Sequence, residues 1–323
     1  MRTKAFVFSL ILLFLAACAP TVGEPQSLET VSLTMSFRPD VQFAPMYMAA
    51  EQGFAAQEGL ELEFNHLPET EAVQLVGVDE LQFAIISGEQ VLLARAQGLP
   101  VVYVMAWWQD YPVAVAAPEA SGIVEPEDLQ GRRIGIPGLF GASYIGFRAL
   151  LDSAGLSEQD VSLDSIGYTQ VEALSQGLDE AVVVYANNEP VQLEELGFPV
   201  NVIKVADHVH LASNGLITNE KTLQERPELV RSLVAALVRG IEATVEDPDS
   251  AFELSMIYVE GLAEGNTTVQ REILERSLPF WHNETIGRSD NEAWENMQSV
   301  LLEMGLLSNQ IDLSEAFTNA YLP

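Results

Sequence analysis

Three short stretches carry side chains that could hold a small molecule. Trp107-Trp108-Gln109-Asp110-Tyr111 sets two adjacent indoles and a phenol just after an apolar run. Rings of this kind stack on flat ligands, worth about 0.5–1.5 kcal/mol beyond the area they bury. Gly138-Leu139-Phe140-Gly141-Ala142-Ser143-Tyr144 precedes a helical pattern. Its backbone N–H groups, with Phe140, Ser143 and Tyr144, could take a polar or anionic group at a helix start; the competing reading is a plain N-cap at Ser143. Asn187-Asn188-Glu189 ends another apolar run. Amide and carboxylate groups suit a heterocycle edge that alternates donors and acceptors, and turn chemistry is the alternative. Phe43, Tyr47, Ser87 and Tyr168 complete the candidate set, because strand ends in α/β sheets face the ligand crevice.

Groups for catalysis are scarce. The chain has 1 cysteine, Cys18, so neither an internal disulfide nor a cysteine-rich metal site can form. His208 and His210 share one face of an extended segment, but Asp207 is the sole further ligand nearby, and no metal site is expected. Arg38, Arg95 and Arg148 read as surface or structural pairs. No Gly-x-x-x-x-Gly-Lys-[Ser/Thr] loop occurs, so ATP hydrolysis would belong to a partner. The expectation is a binding protein, not an enzyme, with no cofactor.

Composition narrows the partners. Lys+Arg number 15 against 47 Asp+Glu, a formal net charge of -32. Such a chain repels nucleic acids and anionic surfaces. With 323 residues, 48% of them hydrophobic, it can bury a sizeable core.

Arg2 and Lys4 precede an apolar run, Ala5 to Ala17, interrupted only by Ser9. A spanning helix needs about 20 apolar residues, so the run reads as a secretory signal over residues 1–17. It ends in Leu15-Ala16-Ala17-Cys18, which resembles a bacterial lipoprotein cleavage box. That resemblance implies lipid on Cys18, a tether over residues 18–30 and a place on the extracytoplasmic face of the cell membrane.

The elements that must position the candidates alternate. Extended runs at 31–37, 60–64, 81–86 and 101–106 enclose helical patterns at 45–58, 71–76 and 89–97. A second α/β unit follows: strands at 133–136, 161–166, 181–185 and 200–205, with helices at 143–154, 170–176 and 189–196. Beyond residue 220 the pattern is helical, with segments at 227–245, 250–260, 269–278, 290–304 and 313–320. Extended segments at 111–117 and 211–218 flank the second unit. The expectation is an α/β fold with two lobes and a cleft between them. Each lobe is a mostly parallel sheet flanked by helices, and a helical tail follows. Lobe one comprises 31–115 plus 213–323, and lobe two comprises 116–212.

Phe43-Ala44-Pro45-Met46-Tyr47-Met48-Ala49-Ala50-Glu51-Gln52-Gly53-Phe54, followed by Glu58-Gly59-Leu60-Glu61-Leu62, resembles the start of the SsuA/ThiY-like solute-binding proteins of ABC importers. Leu129-Gln130-Gly131-Arg132-Arg133-Ile134-Gly135-Ile136-Pro137 and Tyr185-Ala186-Asn187-Asn188-Glu189-Pro190 resemble two further segments of that family, in order. The resemblance implies the two-lobed type II periplasmic-binding-protein fold and the 138–144 loop facing the cleft. It also implies delivery of a solute to an ABC permease and its ATPase, with a monomeric binding protein. The family includes binders of thiamine pyrimidine precursors, alkanesulfonates, taurine, nitrate and riboflavin, and the fungal thiamine-pyrimidine synthase. That enzyme uses a run of cysteines and a histidine. This chain has Gly138-Leu139-Phe140-Gly141 where the cysteines would fall, and Phe43 where the family often has histidine. Abundant aromatics and few cations point to a neutral, flat heterocycle. Riboflavin is favoured. A thiamine pyrimidine precursor, an alkanesulfonate or a sensor role without transport are the alternatives.

Overall fold

The computed structural model describes residues 27–281 and 285–323. The signal segment, Cys18 and most of the tether lie outside the described residues. The chain opens with β1 (Glu29–Met35), α1 (Ala44–Glu51), α2 (Phe54–Gln57), β2 (Leu60–His66), α3 (Glu69–Gly77), β3 (Phe83–Ile86), α4 (Gly88–Ala96) and β4 (Val101–Ala106). It continues with β5 (Val113–Pro118), β6 (Arg133–Ile136), α5 (Gly141–Ser153), β7 (Ser162–Ser165), α6 (Gln170–Ser175), β8 (Ala181–Tyr185), α7 (Glu189–Glu195) and β9 (Val200–Lys204). Then come β10 (Gly215–Asn219), α8 (Glu220–Glu225), α9 (Pro227–Glu246), α10 (Pro248–Ser255), α11 (Thr267–Trp281), α12 (Asn291–Glu303) and α13 (Leu313–Ala316).

Two five-stranded sheets result, ordered β2-β1-β3-β10-β4 and β7-β6-β8-β5-β9. In the first, β10 runs antiparallel to β3 and β4 while β1 pairs β2 and β3 in parallel. In the second, β5 runs antiparallel to β8 and β9 while β6 pairs β7 and β8 in parallel. The antiparallel strand of each sheet is therefore the one that follows a crossing segment. The mostly parallel character expected from strand–helix alternation holds in both sheets, and so does the helical C-terminal region.

Some boundaries differ from the sequence reading. The single helix expected over 45–58 is two helices, because Gly53 adopts the left-handed conformation at φ 73° and breaks the first. The extended run expected at 111–117 becomes strand only from Val113, and the one at 211–218 only from Gly215. The helix expected at 250–260 starts at Pro248, where the Asp247 side chain caps it by accepting from the Ser250 backbone N–H at 3.0 Å. The last helix stops at Ala316, and Phe317 instead bridges to Tyr103.

The helical tail is part of the first lobe's core. Helix α9 lays Leu229, Leu233, Leu237 and Ile241 against α1. The approach is close because Gly240 has no side chain; a Cβ there would stand 2.2 Å from the Pro45 carbonyl oxygen. Among the described residues no helix is long and apolar enough to cross a membrane.

Candidate functional site

The two crossing segments are tied together at the hinge. The backbone N–H groups of Trp107 and Trp108 both donate to the Asn214 carbonyl oxygen at 3.0 Å, and Gln109 N–H donates to Phe280 at 2.7 Å. A cleft of about 290 Å³ opens beside this junction, at the low end of the ligand-pocket range. Its lining comes from strand ends and the loops after them, as the strand-end rule requires. From the first lobe come Phe37, Gln42, Phe43, Glu69 and Gln90. Trp107, Trp108 and Asn214 form the hinge floor, and Phe140, Ser143, Tyr168, Tyr185, Asn188 and Glu189 line the second-lobe side.

Of the residues singled out in the sequence, the cleft brings together Phe43, Trp107, Trp108, Phe140, Ser143, Tyr168, Asn188 and Glu189. The other five lie elsewhere. Tyr47 is fully buried in the first lobe, stacked on Tyr258 at 4.5 Å and edge-on to Phe64. It faces the core because α1 is buried from Ala44 to Ala49, with Phe64 and Tyr258 closing over the ring. Ser87 is fully buried and bonds Glu69 and Glu89. Tyr111 is buried at the hinge and donates its hydroxyl to the Ala142 carbonyl oxygen at 3.0 Å. Tyr144 turns away from the cleft and donates to Glu158 at 2.5 Å, which Arg148 also holds at 2.7 Å. Asn187 is buried beneath the cleft, while its neighbours Asn188 and Glu189 line the wall. The capping role weighed for Ser143 is absent: α5 begins at Gly141 with Phe140 as cap residue, and Ser143 sits in the first turn. His210 is held by Asp290 at 2.7 Å.

The tryptophans do not present open ring faces. Trp107 stacks on Phe43 at 5.0 Å and on Trp281 at 6.2 Å. Trp108 is enclosed by Tyr185, Phe280 and Trp281 at 5.3–6.1 Å. They build an aromatic floor that joins both lobes to α11. The accessible rings are at the mouth: Phe140 is 72% exposed and Tyr168 76% exposed. Phe37 meets Tyr168 edge-on at 6.0 Å, across the cleft. Two buried polar atoms on the floor lack a protein partner, the Trp107 indole Nε1 and the Asn214 Oδ1.

Two lining carboxyls are perturbed. Loss of solvent raises Glu69, although Ser87 donates to it from its backbone N–H. Burial pushes Glu189 up to about 7, against the pull of the Tyr185 N–H that donates to it at 2.9 Å. Behind Glu69 stands Glu89, fully buried and raised to about 8 by burial and by the neighbouring Glu69 charge. Ser87 donates its hydroxyl to Glu89, and the Tyr111 hydroxyl faces it at 3.5 Å. Among the described residues no lysine or arginine lines the cleft.

A buried amide link braces the lobes under the floor. Asn187, after β8, donates from Nδ2 to Gln42 Oε1 and to Ser277 Oγ, both at 2.8 Å. Gln42 precedes α1 and Ser277 lies in α11, so one side chain ties three parts of the chain. Asn187→Ala is expected to cost about 1–3 kcal/mol, because it strands a buried acceptor. Urea unfolding checks this, and a loss below about 0.5 kcal/mol, the level of an ordinary surface change, would contradict it.

Sequence reasoning did not find Phe37, Gln42, Glu69, Gln90, Tyr185 or Asn214. Glu69 lay just before the helical pattern at 71–76 and drew no reading, and Asn214 lay inside an extended segment with no motif of its own.

Two α/β lobes joined by paired crossing segments, with a ligand-sized cleft at the joint, define the two-lobed periplasmic-binding-protein fold. The fold matches the periplasmic aliphatic sulphonate binding protein SsuA from Escherichia coli with a TM-score of 0.73 at 14% identity, over 90% of this chain and 92% of that one. More particularly, the chain belongs to the NMT1/THI5-like family, whose profile matches residues 40–251. It is 39% identical to the riboflavin-binding protein RibY of Chloroflexus aurantiacus, over 97% of this chain and 96% of that protein. It is 28% identical to the formylaminopyrimidine-binding protein of Halalkalibacterium halodurans, over 98% of each.

Proposed function

We propose that the protein is the extracytoplasmic binding subunit of an ABC importer and that its solute is riboflavin. The observation that carries this reading is the cleft lining, which is aromatic on its floor and at its mouth and has no cation among the described residues. A flat, uncharged ring system fits such a surface; a sulfonate or nitrate would find no basic partner. The 39% identity to a protein named as riboflavin-binding supports the same choice.

The action is binding alone. The open lobes admit the ring system, and closure of 116–212 against 31–115 plus 213–323 brings Tyr168 and Phe140 over it. The closed form docks on a permease, and a partner ATPase drives release. Lipid on Cys18 would hold the protein beside that permease.

The test uses residues 19–323, purified without the anchor and titrated with riboflavin, a hydroxymethylpyrimidine and an alkanesulfonate. Flavin fluorescence should be quenched on binding by the aromatic rings of the cleft, and riboflavin should stabilise the protein by about 2.7 kcal/mol at a hundredfold excess over Kd. A shift with the pyrimidine and none with riboflavin would replace the solute and keep the importer. No shift with any of the three would refute a transport role for these solutes.

A further inference from the structure

We infer that the cleft takes its ligand only in the uncharged form and rejects the phosphorylated one, with Glu69 and Glu189 as the specificity-determining residues. This rests on the riboflavin reading above and extends it. Glu69 stands on the first-lobe wall, at the start of α3, and Glu189 on the second-lobe wall, at the start of α7. A ligand in the cleft is therefore flanked by a carboxyl group from each lobe. No lysine or arginine is among the described lining residues; Arg38, over the Phe37 ring at 5.3 Å, favours the charged form of Glu189 without lining the cleft, and burial outweighs it.

The floor is matched to a neutral ligand as well. It offers one unpartnered buried donor, Trp107 Nε1, and one unpartnered buried acceptor, Asn214 Oδ1. A donor and an acceptor suit the edge of an imide or aminopyrimidine ring, and supply no charge to an oxyanion. The feature of the cleft that favours an anion is the first turn of α5 at Gly141–Ser143, equivalent to about half a positive charge. Two carboxyls and the net charge of -32 oppose it. Burial raises both carboxyls, Glu189 to about 7, so the wall carries its charge on the alkaline side of neutrality. At about pH 8 a phosphate dianion entering this field meets like charge, a repulsion that costs several kcal/mol. If the solute arrives phosphorylated, hydrolysis of the phosphomonoester must precede capture.

The experiment compares riboflavin with riboflavin 5′-phosphate by fluorescence titration at pH 8 and low salt, where Glu189, raised to about 7, is ionised, for the wild type, Glu69→Gln and Glu189→Gln. The wild type should prefer riboflavin by about 100-fold or more, and each variant should narrow that ratio to about tenfold. Two variants are used so that misfolding of one leaves the other to decide. A wild-type ratio below about threefold, as when the phosphate seats on the first turn of α5, would overturn the inference and leave the riboflavin reading standing. A large wild-type ratio unchanged in both variants would overturn the assignment to the two glutamates. Failure of riboflavin itself to bind would remove the reading beneath, and the inference with it.

Discussion

Trp107→Ala is expected to lower the unfolding free energy by about 3–5 kcal/mol, the range for a buried tryptophan cut to alanine. The indole is 3% exposed, and its ring is stacked on Phe43 and on Trp281. Truncation opens a cavity where the first lobe, the hinge and α11 meet, so relaxation around it must move three elements at once. Tyr168→Ala should behave in the opposite way. At 76% exposure its side chain contributes little to stability, and the change should stay within about 0.5 kcal/mol. Riboflavin affinity should nevertheless fall by about tenfold, because a ring that closes over the ligand is lost. The pair separates floor from lid: urea unfolding of both variants, with flavin titration of Tyr168→Ala, reads the two effects independently. Equal stability loss in both would contradict the division.

That division was not legible in the sequence. The dipeptide Trp107-Trp108 at a strand end marked the right place, and both residues do line the cleft. The sequence could not tell that Trp281, far along the chain, would cover Trp107. Contacts of that separation leave no periodic trace. Where the signal is local, the reading was accurate: β4, β6 and β8 occupy the expected residues, since short apolar runs between turn signals fix buried strands. Gly53 shows the same physics in reverse. The apolar face continued past it, and only the backbone conformation breaks the helix. At the site, neighbours along the chain were separated by direction. Asn187 points into the protein and Asn188 and Glu189 to the cleft, which depends on how the chain turns after β8. Glu69 was missed because its partner Ser87 comes from a different strand end, and only folding brings them together.

The carboxyls behind that wall give the second large expected effect, a fall in stability as pH rises from 5 to 9. Glu89 is fully buried, and its pKa is raised from 4.5 to about 8. Between those values the native state holds a proton that the unfolded chain has released. Unfolding then becomes more favourable with each step in pH, because stability falls wherever the native state binds more protons. Glu69 and Glu189 are displaced in the same direction and add to the slope. Surface carboxyls held down by hydrogen bonds, such as Asp128 and Asp160, act the other way, but they titrate below this window. Glu89→Gln isolates the contribution. The amide keeps the shape and an acceptor for Ser87 or Tyr111, and it has no proton to lose. Urea unfolding should find the variant and the wild type close at pH 5. At pH 9 the variant should be the more stable by about 2 kcal/mol or more, since each pKa unit by which Glu89 is raised contributes about 1.4 kcal/mol. Groups remote from Glu89 contribute equally to both proteins and cancel in the difference; Glu69, which feels the Glu89 charge, does not, and loses part of its own upward shift in the variant. Parallel pH profiles for the two would show that Glu89 ionises normally, and that burial behind the cleft wall does not hold its proton.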